Sequence, residues 1–198
     1  MRLGLAFLGV IFVPSFVSAQ EPRLRARLDP VTASRVERLV DSAKKSGLPA
    51  EPLIQKALEG QTKGAAPDRI VVAVTSLLDG LGQARQGLGR SGTAEELEAG
   101  VLWLRAGGGV ESLARLRKAA PGRVLAVPIA VSADLLTRGW PPTEATDALE
   151  SLFAARVSDA GFLALRSQVD SAIRGGAKLE PTVRAEVARL TMSRTTRP

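Results

Sequence analysis

Apolar residues return at three- and four-residue steps along most of the chain, and glycine or proline punctuates each run. Asp29-Pro30 supplies an N-cap and a proline at the first helical position, and Val36, Leu39, Val40 and Ala43 follow on one face up to Gly47. The spacing predicts a helix over 30–46. Leu53, Ile54, Ala57 and Leu58 make a short stripe that Gly60 ends. Pro67-Asp68 opens a third helix, whose Ile70, Val71, Val74, Leu77, Leu78 and Leu81 form a face broad enough to sit at the centre of a core. Gly80 and Gly82 weaken its end, and Gly87 to Gly92 read as a break. Thr93 and Glu96 spell a capping box ahead of Leu97, Val101 and Leu104, and Gly107-Gly108-Gly109 ends that helix.

A short helix over 110–119 turns Leu113 and Leu116 inward. Residues 124–131 (VLAVPIAV) are β-branched, but Pro128 argues against a central strand, and the register Val124, Val127, Val131, Leu135 favours a helix kinked near Pro128. Thr143 and Ser158 cap two further helices, Gly175-Gly176 ends the second, and Pro181 opens a last one. The sum is all-α: eight or nine short antiparallel helices, as a compact bundle or an irregular helical-repeat array. The single helical domain is expected over 30–192, with a flexible polar leader at 20–29 and a disordered tail at 193–198.

One local pattern recurs: a small residue, an acidic residue four on, and a core residue two beyond. It reads Gly47…Glu51…Leu53, Gly64…Asp68…Ile70, Ser91…Glu95…Leu97 and Gly107…Glu111…Leu113, with a degenerate Gly139…Thr143…Ala145. A helix stop, a turn and an acid in the next first turn explain it without a repeat ancestry. A diverged repeat array with a binding surface is the alternative.

The first nineteen residues carry an export pattern. Arg2 precedes the apolar run Leu3 to Val13, Pro14 breaks it, and Val17-Ser18-Ala19 offers a cleavage site, placing the cut between Ala19 and Gln20. The run is shorter than the roughly 20 residues that span a bilayer. The expected destination is the periplasm or the extracellular space of a bacterium.

Composition then removes chemistry. The chain has no Cys, His or Tyr, which excludes disulfides, thiolate or imidazole metal sites, and Ser-His-Asp or Cys-His catalysis. The formal charge of +7 is not spread evenly. Residues 20–47 hold seven basic and four acidic side chains, residues 184–198 hold four and one, and residues 48–183 hold fifteen of each. Anion contacts are therefore expected at the ends, at Arg23, Arg25, Arg27, Arg194 and Arg197, if these are more than solubilising flanks. Stacking aromatics are too few for specific nucleic-acid binding.

The stretch Gly47-Leu48-Pro49-Ala50-Glu51-Pro52-Leu53-Ile54-Gln55-Lys56-Ala57-Leu58-Glu59-Gly60, followed by Lys63-Gly64 and Pro67-Asp68-Arg69-Ile70, resembles a block found in uncharacterised exported bacterial helical proteins. The resemblance implies export and a helical fold, and no activity or site.

Carboxylates are the remaining candidates for catalysis. Glu95, Glu96 and Glu98 cluster at a helix start, and Asp147 and Glu150 lie one turn apart, but each position is one that helix capping and dipole effects already explain. No nucleophile–base pair can be assembled, no calcium-loop motif occurs, and the triple glycine lacks the Gly-Lys-Ser/Thr of a phosphate loop. No catalytic, cofactor or metal residue is assigned, and no cofactor is expected. Trp103 and Trp140 are either core residues or anchors for a partner. The expectation is a non-enzymatic interaction or scaffold module acting on an envelope protein, touching membrane only through its signal or weak surface contact. The rivals are a polyanion or membrane-surface binder using the basic ends, and a carboxylate cell-wall hydrolase.

Overall fold

The computed structural model describes residues 22–192, and all regular structure among them is helical. Ten helices follow one another: α1 (Pro22–Arg25), α2 (Pro30–Lys45), α3 (Glu51–Thr62), α4 (Pro67–Leu88), α5 (Ala94–Arg105), α6 (Val110–Ala119), α7 (Ala126–Thr137), α8 (Pro142–Ala154), α9 (Asp159–Arg174) and α10 (Leu179–Met192). The described residues adopt the expected all-α class, with ten helices instead of eight or nine. The signal cleavage pair Ala19 and Gln20, and the tail at 193–198, lie outside the described residues.

The additional element is α1, in the stretch expected to be a flexible leader. Its Arg-Leu-Arg-Ala-Arg-Leu alternation spaces Leu24 and Leu28 four apart, so a single helical turn puts both leucines on the core. Arg23 then forks onto Glu51 of α3 at 2.9 and 2.7 Å, and Arg25 onto Glu37 of α2 at 2.7 and 2.8 Å. Residues 22–28 are docked by apolar burial and paired at their rim.

Several helix starts form as their residues dictate. The Asp29 carboxylate accepts from the amides of Val31 and Thr32 at 3.1 and 3.0 Å. Ser158 accepts from Gly161. Two others move. Helix α8 begins at Pro142, with Pro141 in the cap position, so Thr143 lies inside the first turn; its neighbour Thr146 bonds back to the Pro142 carbonyl. Helix α10 begins two residues before Pro181, which a first turn tolerates because that amide has no intrahelical acceptor. Residues 126–137 are helical, and Pro128 needs no kink: with the helix starting at Ala126 it falls in the first turn.

The glycines divide into two groups that sequence spacing does not separate. Gly47, Gly64, Gly107 and Gly139 adopt positive φ and close helices, each passing the next amide back to a carbonyl five residues earlier, as in Leu48 to Ala43 at 2.9 Å. Six residues after each stop comes a buried side chain: Leu53, Ile70, Leu113 and Ala145. Arg156 does the same with φ 54°, and Phe162 is its buried sixth. The second group lies inside helices at crossings. A β-carbon on Gly60 would sit 3.0 Å from Ile70, and one on Gly80 3.3 Å from Val101. One on Gly87 would sit 2.6 Å from the Leu113 β-carbon, and one on Gly100 2.8 Å from that of Ala84. Helix α3 therefore runs through Gly60, and α4 runs through Gly80, Gly82 and Gly87 without a break.

All four close approaches involve α4, which packs against α2, α3, α5 and α6. Helix α7 takes the corresponding place in the second half, against α5, α8 and α9, and is buried on most of its circumference. Helix α5 touches both centres, and one continuous apolar cluster runs from Leu24 to Val183.

Candidate functional site

Glu96 is the most buried charged side chain among the described residues, at 1% exposure. Its carboxylate completes the capping box, accepting from the Thr93 amide at 2.8 Å while its own amide donates to the Thr93 hydroxyl at 3.3 Å. The other oxygen accepts from the Leu125 amide at 2.7 Å and from the Arg117 guanidinium. Arg117 also donates to the Arg123 carbonyl at 2.8 Å. Burial works hardest on this carboxyl and favours its neutral form. The amides of Thr93 and Leu125 together with Arg117 outweigh it and hold the group below the usual carboxylate range. Arg123 continues the network outward, with its guanidinium 5.1 and 5.4 Å from the Phe153 and Phe162 ring centres and 3.0 Å from Asp159. One carboxylate thus ties the start of α5 to α6, to the 120–125 turn and to the start of α7.

That arrangement serves architecture. With three donors on its two oxygens and 1% exposure, the Glu96 carboxylate does not face an open surface. Asp147 and Glu150 are both gripped by Arg115 across the α6–α8 contact, at 2.9 Å and at 3.0 and 2.8 Å. Glu98 is exposed, and partial desolvation followed by the charge of Glu95 pushes its carboxyl up. No group of three or more carboxylates among the described residues comes together as a metal site.

Both tryptophans are core residues. Trp103 is fully buried beneath Gly108, where a β-carbon would lie 2.1 Å from the indole nitrogen, and Trp140 is 4% exposed. Of the two readings expected for Trp103 and Trp140, core residue or partner anchor, their burial supports the first. The candidate anion contacts fare unevenly. Arg23 and Arg25 are paired with Glu51 and Glu37, and Arg27 lines a cleft of about 380 Å³ between α1 and α3. Arg194 and Arg197 lie outside the described residues. Helix α2 packs on α3 and α4 while α10 packs on α8 and α9, so the described portions of the two basic segments belong to different parts of the molecule.

A broad concave surface lies elsewhere, along the outer side of α4. Exposed positions fall at 69, 72, 76, 79 and 83, one helical stripe. Two hollows meet on it. One, of about 640 Å³, is bounded by Arg35 of α2, by Thr75, Asp79 and Gln83 of α4, and by Val101 and Leu104 of α5. Its neighbour, of about 630 Å³, is bounded by Lys56, Asp68, Arg69 and Ala73. Val72, Ser76 and Arg105 belong to both. Val72 is 67% exposed on the floor. Arg35 bonds Asp68 at 2.6 Å and Lys56 bonds Glu59 at 2.9 Å, whereas Arg69 and Arg105 have no acidic partner within ion-pair distance among the described residues. The sequence does not single out this stripe, because each of its residues, taken singly, is an ordinary solvent-facing helix position.

No family model, curated protein or solved structure matches the chain. No helix among the described residues is long and apolar enough to cross a membrane.

Proposed function

We propose that the protein is an exported, non-enzymatic interaction module of the bacterial envelope, and that it engages its partner through the α4 groove. The signal-like segment at 1–19 supports export. The observation that carries the binding reading is the groove itself: a stripe of α4 that no helix covers among the described residues, with an exposed valine on its floor and, at its edge, two arginines without an acidic partner among those residues. Three of the five candidate carboxylates, Glu96, Asp147 and Glu150, are committed to ion pairs that hold helices together, which favours a binding role over the hydrolase alternative. Successive pairs such as α3–α4, α4–α5 and α9–α10, joined by short turns, are read as antiparallel hairpins that form a rigid frame beneath the groove.

A photo-cross-linking residue at position 72, compared with one at Val124, which is also exposed but lies outside the groove, tests this in the native envelope. One discrete adduct from 72 and none from 124 is expected. Equal or absent labelling at both positions removes the groove as the binding surface. Mass spectrometry of the same material should find Gln20 at the mature N-terminus.

A further inference from the structure

Resting on that reading, we infer the chemistry of the occupant: an acidic amphipathic helix of a partner protein, laid along α4 with its apolar stripe on Val72 and its carboxylates between Arg69 and Arg105.

The charge around the hollow at Arg69 is one-sided. Lys56, Arg69 and Arg105 surround it against the single carboxylate of Asp68, and that carboxylate is taken by Arg35. Lys56 is satisfied by Glu59, so the unspent positive charge is that of Arg69 and Arg105. Guanidinium groups bind carboxylates through two parallel N–H donors, a geometry an acidic side chain matches. The floor between them is apolar, Val72 and Ala73, with the Ser76 hydroxyl beside it. A partner that brought charge alone would leave Val72 in water; one that brought only apolar side chains would leave both arginines desolvated and unpaired. The occupant that satisfies both carries acids and apolar residues on adjoining faces.

Length and shape select a helix. From Arg69 to Gln83 the stripe runs fourteen residues along α4, about 21 Å at the helical rise, or four turns of a docked helix. The described residues contain no strand, so there is no sheet edge to which an extended peptide could add. Asp79 sits toward the far end of the stripe, so the groove is basic at one end and acidic at the other. That polarity orients the occupant, with its acids over Arg69 and Arg105 and a neutral or basic residue over Asp79.

The probe is a fluorescein-labelled, helix-forming peptide of about fourteen residues, with leucines on one stripe and glutamates beside it. Its counterpart carries lysine in place of each glutamate, and a polyglutamate of equal length supplies charge without the apolar stripe. Fluorescence anisotropy with the full mature chain should show saturable binding of the first peptide only. Arg69→Glu with Arg105→Glu should weaken it by roughly tenfold or more, and Val72→Glu comparably. Lys44→Glu with Lys45→Glu, exposed basic residues at the end of α2, should leave it unchanged. All these positions are at the surface, and unchanged thermal melts will confirm that the variants fold.

Equal binding of the lysine peptide or of polyglutamate overturns the inference, as does indifference to the Arg69/Arg105 pair. Binding to phosphatidylglycerol vesicles that the same pair abolishes, in the absence of peptide binding, overturns it in favour of a membrane surface. If position 72 cross-links a partner in the envelope but the acidic peptide does not bind, the groove stands and its assigned chemistry falls. If neither occurs, both fall.

Discussion

Gly82 and Gly87 lie five residues apart on α4, and alanine should act on them in opposite directions. Propensity alone treats the two alike: replacing glycine within a helix gains up to about 1 kcal/mol, chiefly by restricting the unfolded chain. At Gly82 a β-carbon meets nothing within 4 Å, so the gain is realised. At Gly87 it would lie 2.6 Å from the β-carbon of Leu113 and 2.8 Å from the carbonyl oxygen of Val110. Neither atom is the free end of a flexible side chain. Relief requires α6 to move away from α4, and α6 is held on its other side by the contact with α8 and by the Arg117–Glu96 pair. Overpacking of this kind costs about 1–3 kcal/mol, and here it falls toward the upper end because backbone must shift. Subtracting the propensity gain leaves Gly87→Ala destabilised by about 1–2 kcal/mol. For a chain of this size each kcal/mol moves the melting temperature by about 2–4 °C. Gly82→Ala should therefore melt about 2–4 °C above the parent, and Gly87→Ala about 2–8 °C below it, by circular dichroism at 222 nm. If Gly87→Ala melts at or above the parent, α4 and α6 do not cross at backbone distance and the argument from close approach is refuted.

Leu24→Ala should cost about 2–3 kcal/mol in denaturant unfolding, because the leader's leucine fills the core; a change within experimental error would return that segment to a loose tail. Glu96→Gln should cost about 3 kcal/mol at neutral pH by leaving Arg117 without its charge partner. Because folding lowers the Glu96 pKa, its contribution is present above the unfolded carboxylate value near 4.3 and is lost as pH falls through the lower folded value. The parent should lose stability steadily below about pH 4, and the glutamine variant should show a shallower acid limb in the same titration. Arg156→Gly should stabilise by about 0.5–1 kcal/mol, since the left-handed conformation is unfavourable for arginine and glycine gives back part of that gain as unfolded-chain entropy. A loss on that substitution, measured by chemical denaturation, would mean that the Arg156 side chain makes a stabilising interaction.

Signals confined to one turn were legible in the residues. Asp29-Pro30, Thr93 with Glu96, and Ser158 each mark a helix start whose donors and acceptors are close in sequence, and the structure forms all three. Signals that depend on a neighbour distant in sequence were not. A glycine that stops a helix and a glycine that admits another helix are the same letter, so Gly60, Gly80 and Gly87 read as interruptions when they are contact points. Leu24 and Leu28 sit among arginines that suggest solvent, and only the acids at Glu51 and Glu37 explain how those arginines lie down. Glu96 was readable as half of a capping box, but its second oxygen, turned toward Arg117 and Leu125, belongs to tertiary structure. The α4 stripe is the clearest case: exposure of one helical face becomes informative only when every other face of that helix is seen to be covered.

Helix α10 is anchored more lightly than the other long helices. Val183 is its one fully buried residue, and its remaining ties are partial burial of residues such as Val187 and Leu190 against α8 and α9, together with the exposed Arg184–Glu144 bridge. The free energy needed to detach it is therefore far below that of opening the whole core. Its amide hydrogens should exchange through a separate local opening, nearly independent of denaturant, while those of α4 and α7 exchange only when the molecule unfolds globally. The chain thus carries a cooperative body and a terminal unit that opens by itself, and a protease cutting near Gly175-Gly176 would release that unit with the body intact.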